Sequence, residues 1–393
     1  MKIGTAKDVL PLSLPTTLVG HRIVRKAFVI GDELHVRSIA LVNGDNIVFM
    51  VSVELLWLDK FHVNEIRAKI CKEVNVPLHN ILVACTHTHS GPDTLEWKES
   101  SSPEHKLWLD LVIDRISNTS IRAFSKLVDC SVDLVETDVD IATNRRLMDE
   151  TGVYRLKPNP SGVTSQRFRL LRFCTLKGDN LAGIITHIAH PVVLGEDSHC
   201  ISADWCGLVC SKIELKLGVI CLYFNGASGD QNPKIWTGKS YAEMEEMAQH
   251  VAQKSLMLFS LGQNLELELP LQVVSKILKF QGKEHPYLLR AQAKRIQNDG
   301  NISIEVQLIK IGSVIIVGLP GECLIETGFE IEHVIKGYEI IIISYSNDYV
   351  GYLPMAHIFE EGGYESYATM LTSGEIALMV DIVKKLIVRL AHS

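Results

Sequence analysis

Short aliphatic runs and longer amphipathic stretches alternate along the chain. Residues 36–43 and 46–53 (VRSIALVN and NIVFMVSV) flank Gly44-Asp45 and predict a β-hairpin. Val63, Ile66, Ile70 and Val74 recur at helical spacing and predict a helix over 61–74. A strand from Ile81 to Cys85 follows, then an amphipathic helix over 104–127. Asp204 stands where it would cap a helix running to about Lys216. A further helix over 239–260 places Tyr241, Met244, Ala248 and Val251 on one face. Residues 265–281 and 302–318 predict strands around a short helix, and 373–391 a final helix. The alternation is that of an α/β fold, mixed β-sheets with flanking helices. No internal repeat, low-complexity tract or Pro/Gly-rich linker interrupts it, so residues 1–393 read as a single domain.

Composition narrows the function classes. Apolar residues make up 47% and charged residues 22% of the chain, which excludes disorder, collagen and coiled coil as the dominant state. A net charge of −7 argues against a nucleic-acid binder. The aliphatic runs, such as Ile340 to Ile343, are strand-sized, and none approaches the roughly 18 residues of a transmembrane span. The N-terminal MKIGTAKDVLPLSLP has no sustained apolar run and no small-residue cleavage site, so it reads as mature, cytoplasmic sequence. The nine cysteines are scattered and fit buried, reduced thiols; Cys206 and Cys210, four apart on a helix, lack the second pair of a zinc knuckle. NGASGD (225–230) has neither a phosphate-loop ending nor a GxGxxG form, which rejects nucleotide binding. Met244 and Met247 are core filler.

The chemistry gathers where strands stop. Five segments run as a short aliphatic strand and then break into polar, Gly and Pro residues: 81–93, 181–197, 219–233, 313–326 and 339–354. Ligands of open α/β sheets bind just beyond the carboxyl ends of strands, so one shared site is expected there. His87 and His89 lie two apart in THTHSGP, and either could face a metal after a turn. His190 precedes Pro191, with His187 three residues upstream. Glu322 follows Pro320-Gly321 at the end of a buried strand, a costly place for an unpaired carboxylate. Each has a plainer reading: a chance His-x-His, a glutamate at a helix N-terminus, tyrosines of NDYVGY as packing residues with wet hydroxyls. Their coincidence at strand ends favours a metal site.

Taken in order, THTHSGP (86–92), HP (190–191), GDQNP (229–233), LPGE (319–322) and NDYVGY (347–352) resemble the catalytic domain of the neutral, non-lysosomal ceramidases. The resemblance runs from about residue 2 to residue 370, and VGYLP and EEGGYE (360–365) are similar to shorter bacterial relatives. It implies a neutral-ceramidase-like fold with a metal site at the strand C-terminal ends. It implies a zinc ion (Zn2+) held by His87, His190, Glu322 and Tyr352, with water completing the shell. His89 and Tyr364 match residues that hydrogen-bond the substrate carbonyl, and Arg145 matches an arginine lining the same pocket, with Arg146 beside it. Asn232 stands where ceramidases carry a serine, which excludes a serine acyl-enzyme there and leaves metal-activated water as the consistent mechanism. The C-terminal immunoglobulin-like domain of that family is expected to be missing.

The expectation is therefore a cytoplasmic, zinc-dependent amidase of a small-molecule or lipid-like amide, with true ceramide a doubtful substrate. His89 and Tyr364 would stabilise the oxyanion, and losing one such donor raises the barrier by about 2.7–4 kcal/mol. His89 or Glu322 would serve as the acid, and Asp204 and Asp230 would orient the ligand imidazoles. An esterase or lactonase at the same site, or an inactive metabolite-binding relative, are the alternatives.

Overall fold

A computed structural model describes residues 1–23, 25–95, 102–236, 238–261, 270–283 and 300–393. Three mixed sheets organise it, each built to the same plan. The first contains β1 (Lys2–Val9), β2 (His35–Asn43), β3 (Asn46–Val53), β4 (Ile81–Cys85) and the short β5 (Val128–Asp129). The second contains β6 (Ser131–Asp138), β7 (Arg167–Cys174), β8 (Asn180–His187) and β9 (Ile220–Asn225). The third contains β10 (Leu271–Gln281), β11 (Asn301–Ile311), β12 (Val314–Gly318) and β13 (Glu339–Ile343). In each, three antiparallel strands are followed by a fourth that pairs parallel to the third. A parallel neighbour requires a crossover, usually helical. Helices α1 (Lys60–Glu73), α3 (Asp204–Leu217) and α5 (Ile325–Glu332) lie in the three crossovers. A longer helix closes each unit: α2 (Pro103–Phe124), α4 (Tyr241–Ser260) and, after the short α6 (Ala356–Glu361) and α7 (Tyr364–Tyr367), α8 (Ser373–Ala391). The sequence shows no repeat, yet the same order of elements occurs three times.

Both faces of these sheets are covered, which explains strands that read as continuous apolar runs. Ile39, Leu41, Met50 and Leu82 of the first sheet, Phe173, Ile184 and Leu222 of the second, and Ile309, Ile316 and Ile341 of the third share one inner core. The opposite face of the first sheet (Phe49, Val51, Val83) packs on Val63 and Ile66 of α1 and Val112 and Ile116 of α2. The outer faces of the other two meet Val209 and Ile213 of α3, Val251 of α4, and Ile376, Met379 and Val383 of α8. Each such side chain taken fully out of water contributes about 1.5–3 kcal/mol. Capping boxes start α4 (Ser240 with Glu243) and α8 (Thr372 with Glu375), and the Asp59 side chain caps α1.

The expected hairpin, the strand 81–85 and the helices near 61–74, 204–216, 239–260 and 373–391 are all present. Three points differ. The helix expected to reach 127 ends at Phe124, and β5 follows. The strand expected over 302–318 is a hairpin, reversed at Gly312, whose φ of 61° suits glycine. Asp204 is the first residue of α3, not its cap, and the cap position is held by Ala203. Residues 265–269 and the short helix expected between 281 and 302 lie outside the described residues, apart from the ends of the flanking strands. All nine cysteines are free thiols. Among the described residues, no helix is long and apolar enough to cross a membrane.

Candidate active site

The plan that repeats through the three sheets brings five strand ends together. Asn225, at the end of β9, donates through Nδ2 to the Thr86 carbonyl beyond β4 (2.6 Å) and accepts at its own carbonyl from Ser344 N beyond β13 (2.9 Å). Leu319 N, beyond β12, donates to the carbonyl of Ile343 (2.9 Å), and Cys85 N donates to that of Tyr345 (3.4 Å). His190 N, beyond β8, donates to the Gln231 carbonyl (3.0 Å). Two residues at this junction, His87 (φ 66°) and Tyr345 (φ 56°), occupy the left-handed region. That conformation costs a non-glycine residue roughly 1–2 kcal/mol and recurs where a site constrains the backbone. Here it turns both rings inward straight after their strands, stacked at 4.0 Å.

His87, His190 and Glu322 are buried side by side. The Nε2 atoms of His87 and His190 lie 3.6 and 3.3 Å from the same Glu322 oxygen, Oε2. Both Nδ1 atoms face backbone carbonyls at 2.8 Å, those of Leu56 and Ser228. A ring nitrogen facing a carbonyl carries a proton, so in the neutral ring Nε2 presents a lone pair. An ion pair with Glu322 would need protonated imidazoles. Burial opposes that for His87, taking its pKa down to about 3 despite the carboxylate. Glu322 is drawn down to about 2, the imidazoles and Arg145 outweighing a burial that alone would raise it. Burial thus keeps the His87 ring neutral, its one proton on Nδ1. His190 Nε2 is buried without a hydrogen-bond partner among the described residues. Two lone pairs facing one carboxylate oxygen are complementary to a cation between them. His89 adds a third ring: ring nitrogens of His87, His89 and His190 fall within 4.8 Å of one another. Both nitrogens of His89 lack a hydrogen-bond partner among the described residues, and burial and the neighbouring rings hold it well below an ordinary histidine.

A second group of polar residues stands beside these. Glu322 and Tyr352 are register partners in a two-residue parallel ladder. The Tyr352 hydroxyl accepts from Arg145 Nη2 at 2.9 Å. Arg145 also donates to Asn232 Oδ1 (3.2 Å) and, through Nε, to Glu365 Oε1 (2.9 Å), while Arg146 donates to Glu365 Oε2 (2.8 Å), Glu361 Oε2 (3.0 Å) and the Gly362 carbonyl (2.9 Å). Successive residues of a strand normally face opposite ways; a register irregularity between Asn144 and Arg146 lets both arginines address one carboxylate. Of the two, Arg145 is the one that reaches Tyr352. Tyr364 begins a short helix, Tyr364–Tyr367, with its ring 5.4 Å from that of Tyr352 and 39% of the residue exposed.

Asp230 and Asp204 do not orient the imidazoles; the Leu56 and Ser228 carbonyls do. Asp230 accepts from Ile325 N (3.0 Å) at the start of α5 and from Asn144 Nδ2 (3.1 Å). Asp204 accepts from Trp205 N (2.8 Å) and Leu194 N (3.3 Å), and burial raises it to about 7. The sequence pattern points to no role for Tyr345, Ser228 or Glu365, and Tyr349 of NDYVGY reads from it only as a packing residue with a wet hydroxyl. Tyr349 and Tyr345 donate to Glu322, and Glu365 is the counter-ion of both arginines. The tyrosines lay within the fifth strand-end segment, a signal that reached the segment but not the residues.

Among solved structures the chain is similar to ceramidases. Neutral ceramidase from Pseudomonas aeruginosa superposes with a TM-score of 0.80 over 99% of this chain and 74% of its own, at 15% identity. A ceramidase complexed with C2 gives 0.81 over 99% and 75%, at 14% identity. The chain thus has the neutral ceramidase fold over essentially its whole length, which bears out the resemblance at the level of fold. No protein-family model matches the sequence, and no curated protein does.

Proposed function

We propose that the chain is a zinc-dependent hydrolase of carbon–nitrogen amide bonds, a single catalytic unit over residues 1–393 acting on a small-molecule or lipid-like amide. The observation that carries this is the pair of Nε2 lone pairs, from His87 and His190, facing one oxygen of Glu322 with both Nδ1 protons already committed. The ceramidase fold supports an amide as the bond. His87, His190 and Glu322 would hold the ion, and Tyr352 would complete a nitrogen and oxygen donor set suited to zinc. When bound, zinc supplies a hydroxide nucleophile at neutral pH and a Lewis acid.

The remaining work falls to the chain's own side chains. His89, neutral and with both ring nitrogens uncommitted among the described residues, hydrogen-bonds the carbonyl oxygen through its one N–H as charge develops, while its other nitrogen takes the proton shed by the attacking water and returns it to the amine leaving group. Tyr364 supplies a second donor from the exposed edge. Arg145 holds Tyr352 in place while Glu365 balances its charge. Asn232 is bound to Arg145 and offers no nucleophile, so no acyl-enzyme forms on it. The nine free thiols support a cytoplasmic setting.

The test uses purified protein, chelator-stripped and then reloaded with zinc, assayed on an N-acyl amine and an ester of the same acyl group. Amide hydrolysis that disappears on stripping and returns with zinc is expected. Turnover of the ester alone would reassign the site to an esterase or lactonase. Zinc binding without turnover of a broad acyl-amine set would make the chain a metabolite-binding relative.

A further inference from the structure

Glu322 has two oxygens, and the structure treats them differently. Oε2 faces the Nε2 atoms of His87 and His190 at 3.6 and 3.3 Å and accepts from Tyr345 Oη at 3.2 Å. Oε1 accepts from Tyr349 Oη at 2.6 Å. That is the length of a charge-assisted O–H···O⁻ bond, about twice as strong as a neutral one. We infer that Tyr349 is a positioning residue that withholds Oε1, so that Glu322 offers a cation a single oxygen. The inference rests on the metal reading proposed above.

Tyr349 is built to hold that position. It is buried, with its ring against Trp57 at a centroid distance of 4.7 Å. Its own N–H donates to Asp348 Oδ1, which also accepts from Lys60 N at the start of α1 (2.8 and 3.0 Å). Two residues earlier, Asn347 accepts from Val83 N at Oδ1 and donates to Gln307 Oε1 (2.9 and 2.7 Å). Two residues later, the Gly351 carbonyl accepts from Glu322 N at 2.9 Å. The loop that fixes the glutamate's backbone therefore also fixes one of its carboxylate oxygens. For Glu322 to turn both oxygens to a cation, the short buried bond from the Tyr349 phenol to Oε1 would have to be given up, which is costly.

The conservative change Tyr349→Phe keeps the ring and removes the O–H. Zinc affinity, read by competition with a chromophoric chelator, is expected to fall 10–100-fold, the usual effect of losing a residue that orients a ligand. The visible absorption of the cobalt-loaded variant is expected to weaken per cobalt as Glu322 becomes free to bind through both oxygens. Wild-type protein that binds zinc, beside a variant within threefold of its affinity and with an unchanged cobalt spectrum, would overturn the inference. Wild-type protein that binds no zinc would overturn the proposed function itself, a separate result. Should the variant not fold, the zinc-loaded minus metal-free infrared difference spectrum of wild type decides. Widely separated carboxylate stretches support one-oxygen binding, and closely spaced ones contradict it.

Discussion

Glu365 is the residue on which the arginine side of the site depends. Its carboxylate, 1% exposed, lies between Arg145 (2.9 Å) and Arg146 (2.8 Å), whose side chains are 7% and 5% exposed. Replacing it by glutamine keeps the size but deletes the charge that the two guanidinium groups share. It also turns an N–H toward a neighbour that can only donate. Removing one partner of a buried pair in this way costs about 3–5 kcal/mol. Unfolding entropy of about 2.1 cal/mol/K per residue, taken over 393 residues, comes to about 0.8 kcal/mol/K. The melting temperature of Glu365→Gln should therefore fall by about 4–6 °C in scanning calorimetry. Glu361 makes the comparison: among the described residues it bonds only Arg146, its side chain is 32% exposed, and such a pair contributes about 1 kcal/mol or less. Glu361→Gln is thus expected to melt within about 1 °C of wild type. A Glu365→Gln protein as stable as Glu361→Gln would refute the view that this carboxylate neutralises two buried arginines.

Other expectations follow from single contacts. Burial holds His187 down at about 4, its Nε2 donating to the Val139 carbonyl at 3.1 Å. The unfolded chain then binds a proton that the folded one excludes. His187 accordingly contributes stability above about pH 6.5 that is lost as pH falls through about 4, at most about 3 kcal/mol in all. Denaturant titrations of wild type against His187→Asn across that window should show the wild type losing ground at lower pH, and a constant difference would contradict this. Gly20 has φ 107°, and a Cβ there would lie 2.5 Å from His89 Cγ. Gly20→Ala should displace the His89 ring and lower kcat/KM about 100-fold, whereas Gly44→Ala, with φ 57° but no atom within 4 Å, should leave it unchanged. Equal activity of the two variants would remove His89 from the mechanism.

The strand ends were legible because each aliphatic run stops where its chemistry begins, and the hydrophobic pattern marks that boundary. His87, His190 and Glu322 were within reach of sequence for that reason. What orients them was not: the acceptors of the two Nδ1 protons are the Leu56 and Ser228 carbonyls, and a backbone carbonyl leaves no mark on residue identity. Asp204 and Asp230 looked like orienting carboxylates because they lie near the motifs in sequence, yet they serve the starts of α3 and α5. Glu365 was hidden by distance, pairing across 220 residues with Arg145 through a strand irregularity that a period-two reading cannot show. The threefold recurrence of the sheet plan escaped because equivalent strands share burial and order but not residues.

The central claim is that two imidazoles and a carboxylate enclose a divalent cation. Crystals of zinc-replete protein, measured on both sides of the zinc absorption edge, test it directly. The expected result is a single strong anomalous peak within bonding distance of His87 Nε2, His190 Nε2 and a Glu322 oxygen, absent from crystals of His190→Ala. Zinc-replete crystals with no peak between those atoms, or a peak that survives the loss of His190, would contradict it.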